Sequence, residues 1–187
     1  MSTADSRPRF DNARILIVMG VSSSGKSTIG QSVARALHAP FLDGDKFHPP
    51  ANVEKMRQSI PLTDDDRWGW LEAHGKALAE AADAKDIAIG ASSALRRVYR
   101  DRLVEAAGEP ILFVFLEGSY EVIAERAAKR QHEYMPASLL QSQFDTLEPP
   151  DPETENVLAV SITDSVEKIT ATILKAVPHL KSFKRKQ

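Results

Sequence analysis

Eight consecutive residues constrain this chain more than any others: Gly20, Val21, Ser22, Ser23, Ser24, Gly25, Lys26 and Ser27 fit the spacing G-x-x-x-x-G-K-[ST]. Their flanks give the pattern a structural context. Ile15 to Met19 is an apolar run of strand length, and after the motif Ile29, Val33, Ala36 and Leu37 recur at helical spacing. A strand, a glycine-rich turn and a helix start in that order aim several backbone N–H groups and the positive end of a helix dipole at one point. That arrangement suits the phosphates of a nucleotide, with loop amides as far as Thr28 forming the cradle. Lys26 is expected to reach the β- and γ-phosphates, and the Ser27 hydroxyl to ligate Mg²⁺. The loop alone does not distinguish a kinase from a GTPase or a mechanical ATPase.

Composition narrows the class. At 187 residues the chain is long enough for one domain with a sizeable core. Its 24 basic and 26 acidic residues nearly cancel, which leaves no electrostatic footprint for nucleic acid. With no cysteine, disulfides and thiolate metal sites are excluded. The longest apolar runs are strand-sized, so no membrane span is expected. Residues 1–12 are polar without a signal-peptide core and read as a disordered leader, residues 181–187 as a solvated basic tail, and a cytoplasmic protein is the default.

Five strand-like runs, Arg14–Met19, Pro40–Leu42, Asp86–Ala91, Pro110–Leu116 and Val157–Ile162, alternate with helical stretches. The helices are expected over Lys26–Leu37, Asp64–Ala82, Ser92–Ala107, Tyr120–Arg130, Pro136–Thr146 and Ser165–Lys175. Such alternation predicts a parallel sheet in a three-layer α/β domain, spanning residues 13–180, with ligands beyond the carboxyl ends of the strands. The polar clusters fall there: Gly20–Ser27 after the first strand, Asp43-Gly44-Asp45 after the second, Ser92-Ser93 after the third. Two stretches have no place in the sheet, roughly 46–82 and 126–150. Both are long enough to form mobile flaps that exclude water.

Phosphoryl transfer to an alcohol needs a held metal ion and a deprotonated acceptor. The third strand offers no acid, so Asp43 is the candidate for the magnesium side and Asp45 for the base. Downstream, Asp64, Asp65 and Asp66 read as a helix N-terminus capped by Thr63 or Asp64, with Arg67 and His74 on one face at i and i+7. An arginine there can grip an acidic substrate bidentately.

Beyond these local readings, the residues resemble the gluconate kinases (gluconokinases) of the thermoresistant type. The matching segments are Met19 to Ser27, Phe41-Leu42-Asp43-Gly44-Asp45 with His48-Pro49, Asn52 with Lys55-Met56, and Pro61 through Arg67 with Trp70-Leu71. They continue in Ser93-Ala94-Leu95, Tyr99-Arg100-Asp101, Pro136 through Phe144 and Leu147-Glu148, so the resemblance covers about residues 15 to 150. It implies a P-loop kinase fold like the nucleoside monophosphate and shikimate kinases, with a five-stranded parallel sheet, a helical substrate-binding flap at about 46–82 and a lid at about 126–150. It also implies ATP-dependent phosphorylation of D-gluconate on its 6-hydroxyl, usually in a homodimer. The chain departs from the family in several places. Glycine is usual at Ser23, where serine is accommodated at negative φ; glycine, proline and cysteine are common at Ser59, Gly69 and Ser92. The lid often reads Gly-His-Phe where this chain has His132-Glu133-Tyr134.

An anionic, hydroxyl-rich substrate calls for a cation and several hydrogen-bonding groups. Asp45, His48, Arg67, Ser93, Arg96 and Arg100 are available on the acceptor side. Arg96 and Arg100 share a helix face at i, i+4, one to hold the carboxylate and the other structural; Arg97 faces solvent. In the lid, Arg126 and Arg130 are one turn apart and can bring positive charge to the transferring group; the resemblance to related small-molecule kinases implies that Arg126 is the one to contact the nucleotide. Adenine is expected at Ser161–Asp164. The competing readings are a kinase of the same architecture acting on another small acid such as shikimate, and a nucleotide-binding module without transfer activity. A GTPase is disfavoured because no N-K-x-D motif is present.

Overall fold

Period-two alternation within almost wholly apolar strands decides how the layers assemble. In β1 (Ile15–Met19) the side chains of Leu16 and Val18 join one buried cluster, and those of Ile15, Ile17 and Met19 join another. β4 (Ile111–Glu117) divides the same way, with Leu112, Val114 and Leu116 on the first side and Ile111, Phe113 and Phe115 on the second. Strands buried on both faces need helices on both, the usual condition of a parallel sheet. The computed structural model describes residues 13–129, 137–178 and 180. The leader and the basic tail, with Arg130 and His132-Glu133-Tyr134, lie outside the described residues.

With β2 (Phe41–Asp43), β3 (Ala88–Ala91) and β5 (Val157–Ser161), the sheet has the order β2-β3-β1-β4-β5, and every neighbouring pair is parallel. One face is covered by α1 (Lys26–Leu37) and α7 (Val166–Ala176), whose Ile29, Val33, Leu37, Ile169 and Ile173 meet Leu16, Val18, Leu112 and Val114. α5 (Tyr120–Lys129) and α6 (Ala137–Thr146) add Ile123 and Leu140 to that layer. The other face is covered by α3 (Asp64–Lys85) and α4 (Arg97–Ala107) through Trp70, Leu71, Leu78 and Leu103. This is the three-layer α/β fold with a five-stranded parallel sheet. Among the described residues, no helix is long and apolar enough to cross a membrane.

The connection from β1 turns toward β2 at one edge of the sheet, and that from β4 toward β5 at the other. The loop after β1 therefore opens at the switch point, where open α/β sheets bind ligands.

Several boundaries differ from those expected. Asp86 is not the start of a strand but the left-handed cap that closes α3, and β3 begins at Ala88. The helix after β3 starts at Arg97 rather than Ser92, because residues 92–95 form a loop whose Ser93 carbonyl accepts the amide of Gly20. An additional helix, α2 (Pro50–Arg57), follows a 3₁₀ turn at Gly44–Phe47. Pro50 supports its first turn, where a missing N–H costs nothing. α3 begins in a reciprocal capping box: Thr63 Oγ1 accepts the Asp66 amide, and the Asp66 carboxylate accepts the Thr63 amide.

Candidate active site

The loop from Gly20 to Ser27 leaves the carboxyl end of β1 and enters α1 through Gly25, whose φ of +101° is hard for any residue with a Cβ. Lys26 curls back over the loop, its Nζ donating to the Val21 carbonyl at 3.0 Å. The Ser24 hydroxyl is buried without a hydrogen-bond partner among the described residues. At Ser23 the condition under which serine would be accommodated is not met: φ is +63°, a left-handed conformation that costs a non-glycine residue about 1 kcal/mol.

Asp43, the last residue of β2, ties the loop to the Asp-Gly-Asp turn. Its Oδ2 accepts the Ser27 hydroxyl at 2.9 Å, while its Oδ1 accepts the Asp45 amide at 3.2 Å and caps the 3₁₀ turn. The side chain of the first strand-end acid thus orients the backbone of the second, and Asp45 is exposed at the turn. Between them, Gly44 permits close packing. A Cβ there would lie 2.6 Å from the Ala91 carbonyl and 2.9 Å from His74 Nδ1. The Gly44 carbonyl accepts Trp70 Nε1 at 2.6 Å, and the His48 ring stacks on Trp70 with centroids 4.1 Å apart. α3 therefore sets the back wall of the turn.

The arginines separate into distinct environments. Arg67 donates to the Leu62 carbonyl at 2.6 Å and lies 3.7 Å from Asp64, with its guanidinium over the Tyr99 ring. Arg96 also lies over Tyr99, and pairs with Asp64 at 2.8 Å and Glu148 at 3.3 Å. Tyr99 donates its own hydroxyl to Asp64. One carboxylate so gathers two guanidiniums and a phenol. Arg96 precedes α4 as its N-cap, so the shared helix face expected for Arg96 and Arg100 is not formed. Arg100 is 1% exposed and fully engaged: Nε and Nη2 pair with Glu155 at 2.6 and 3.0 Å, and Nη1 donates to the Ala94 and Leu95 carbonyls. It is the structural member of the two, and its assignment to substrate is corrected on that ground. Ser93 is half-buried beside the loop through its carbonyl bond to Gly20. Arg97 is half-exposed and bonded to Thr154 rather than purely solvated.

On the far side, Arg126 donates to the Ile162 carbonyl, within the stretch expected to meet adenine, and Lys129 pairs with Glu125. Several contacting residues lack any motif of their own. Gln143 of α6 bonds Ser22 twice, and Glu148 accepts both the Arg97 amide and Arg96 Nε. The sequence signal available for both was their place in the segments around Pro136–Phe144 and Leu147-Glu148. A cavity of about 560 Å³ lies beside α4 and the start of β4, with Arg97, Arg100, Val104, Ile111, Phe113 and Glu155 in its lining.

Burial dominates the titration of the two imidazoles. His74 is wholly buried, and desolvation pushes it down to about 4 against the opposing pull of the Leu42 carbonyl and Asp43. Partial burial, then the nearby Arg67 charge, lowers His48 to about 4 as well. Asp66 falls to about 2, chiefly through its bonds from Lys55 and then the Thr63 amide. Glu155 sits below the usual range; burial alone would raise it, but Arg100 and the Asp151 amide hold the anion.

A family model described as an AAA domain matches residues 15–150. The thermoresistant gluconokinase of Escherichia coli (strain K12) is 40% identical over 87% of this chain and 93% of its own length. A crystal structure of a gluconokinase from Sinorhizobium meliloti 1021 superposes with a TM-score of 0.80 at 42% identity, covering 96% of this chain and 99% of that one. A shikimate kinase from Aquifex aeolicus vf5, at 19% identity and a TM-score of 0.52 over 87% of this chain and 94% of its own, shares the fold.

Two outcomes follow from the buried groups. Arg100→Met strands the Glu155 carboxylate, whose side chain is 7% exposed, and should cost about 3–5 kcal/mol of unfolding free energy in urea. Unfolded histidine titrates near 6.5, whereas the folded imidazoles stay neutral to about pH 4. Between those values the unfolded chain binds more protons, so stability is fully present above pH 6.5 and declines as pH falls toward 4. The urea midpoint of the native chain should drop between pH 7 and 5, and less steeply in His74→Gln. Asp66 contributes no slope in this window, since its stabilisation is lost only below about 3.8.

Proposed function

Because this chain belongs to the gluconokinase family, we propose that it transfers the γ-phosphoryl group of ATP to the 6-hydroxyl of D-gluconate, giving 6-phospho-D-gluconate and ADP. The observation that carries this reading beyond the family is the Ser27–Asp43–Asp45 connection. It joins the phosphate loop to the strand end that carries Asp45, in this reading the base toward the acceptor. A shikimate-like substrate is not favoured, because the shikimate kinase, at 19% identity, shares only the fold, whereas the gluconokinases are 40–42% identical to this chain. A non-catalytic nucleotide-binding module is disfavoured by the intact acceptor-side groups.

In the proposed mechanism the loop of residues 20–28, with Lys26, holds the β- and γ-phosphates. The Ser27 hydroxyl and the Asp43 carboxylate, 2.9 Å apart, are hard oxygen donors that fit Mg²⁺, a cation that takes one or two protein ligands and completes its shell with phosphate and water. Bound there, the ion would neutralise charge on the β- and γ-oxygens. Asp45 orients the 6-hydroxyl and accepts its proton. Arg67 and Arg96 supply positive charge for the gluconate carboxylate, and His48 and Ser93 hydrogen bonds for its hydroxyls. Arg126, released from the Ile162 carbonyl, and Arg130 bring charge to the transferring group. In this reading residues 46–82 form the substrate flap, residues 126–150 the lid, and the working protein is a cytoplasmic homodimer.

A coupled ADP-release assay with ATP, Mg²⁺ and a panel of sugar acids tests the reaction. Gluconate-dependent release is expected, with little on shikimate or without acceptor; equal release on every acid would overturn the assignment. Asp45→Asn should lower kcat by about 10²–10⁴-fold while ATP binding stays nearly unchanged. Turnover near that of the native chain in this variant would remove Asp45 from the base role.

A further inference from the structure

We propose that Gln143 is a positioning residue for the phosphate loop, clasping Ser22 from α6 and holding the loop in its nucleotide-binding shape before the nucleotide arrives. This rests on the reading that the loop binds ATP. Gln143 Oε1 accepts the Ser22 amide at 2.7 Å, and Nε2 donates to Ser22 Oγ at 2.9 Å, between residues 121 apart in sequence. A carboxamide carries an acceptor and donors side by side in one plane, matching the N–H and hydroxyl of a single serine.

The loop needs such a hold. The Gly20 amide is tied to the Ser93 carbonyl and the Ser24 amide to the Val21 carbonyl, and between them the Ser22 amide is held from α6. The residue after Ser22 is Ser23, kept at φ +63° where glycine would sit without cost. The clasp is itself well anchored. One turn before Gln143, Leu140 is 2% exposed in the core; beside it Phe144 packs edge-on against Tyr120 with centroids 5.4 Å apart. Just beyond α6, the Glu148 amide donates to the Leu95 carbonyl at 2.8 Å, and the Glu148 carboxylate holds Arg96 and the Arg97 amide. The same short segment thus fixes the donor loop at one end and the acceptor-side arginines at the other.

The test measures Mg²⁺–ADP binding by calorimetry on the full chain without gluconate, alongside steady-state kinetics. Gln143→Ala should weaken nucleotide binding about tenfold, the effect of two lost hydrogen bonds, and raise the KM for ATP similarly, with kcat at saturating ATP changed by less than about threefold. In a Ser23→Gly background the same substitution should cost markedly less, because glycine takes the left-handed conformation unaided. Gln143→Glu keeps the size of the side chain but puts an anion against the phosphates, and should bind more weakly still. It serves as the comparison should the alanine variant fail to fold. Unchanged or tighter binding in Gln143→Ala, or in Gln143→Glu, overturns the clasp. So does an equal penalty in the native and Ser23→Gly backgrounds, which would make Gln143 an ordinary structural contact. A native chain that binds Mg²⁺–ADP but does not phosphorylate gluconate refutes the proposed reaction alone, whereas one that binds no nucleotide refutes both.

Discussion

The two-sided burial of β1 is the constraint on which the rest of the molecule depends. Every side chain from Ile15 to Met19 is at most 1% exposed, so the strand can exist only between two helical layers and two flanking strands. With its neighbours β3 and β4 it sets a parallel sheet, and a parallel sheet requires crossovers that leave each carboxyl end free. The phosphate loop, the Asp-Gly-Asp turn and the Ser93 loop are three such ends. Their convergence is a property of the topology, and the chemistry is placed upon it.

Around that convergence polar groups are arranged in linked sets rather than isolated pairs. Asp43 bonds the loop and the turn at once, and Asp64 gathers Tyr99, Arg96 and Arg67. A carboxylate has several lone-pair sites, so one acid can position groups from two elements at once. The loop after β1 and the turn after β2 thus share a member, and Trp70 of α3 backs the turn. His74 contributes from behind, filling the space left by Gly44 with a neutral ring.

Much of this was legible from residue order. The bounds of α1, the five strands and their parallel arrangement follow from apolar runs punctuated by glycine and polar clusters, and Thr63 was recognisable as a cap. Other features leave no such trace. The φ of Ser23 is a backbone angle that tertiary contacts impose on a residue type that does not prefer it. Arg96 and Arg100 look equivalent at i, i+4, yet the helix begins between them, and a buried acid 55 residues away claims only the second. α2 is short and polar, with Val53 and Met56 exposed, so it has no apolar stripe to announce it. Gln143 is one polar residue on a helix whose partner is distant in sequence, and periodicity does not register a contact of that kind.

The buried pair of Arg100 and Glu155 has a consequence for the history of the chain. Each residue is tolerated in the interior only because the other is present, so a change at either alone passes through a state with a stranded charge. The two positions therefore form one unit of inheritance. Lineages of this protein should keep both residues or exchange both for an uncharged pair, with few carrying a single replacement.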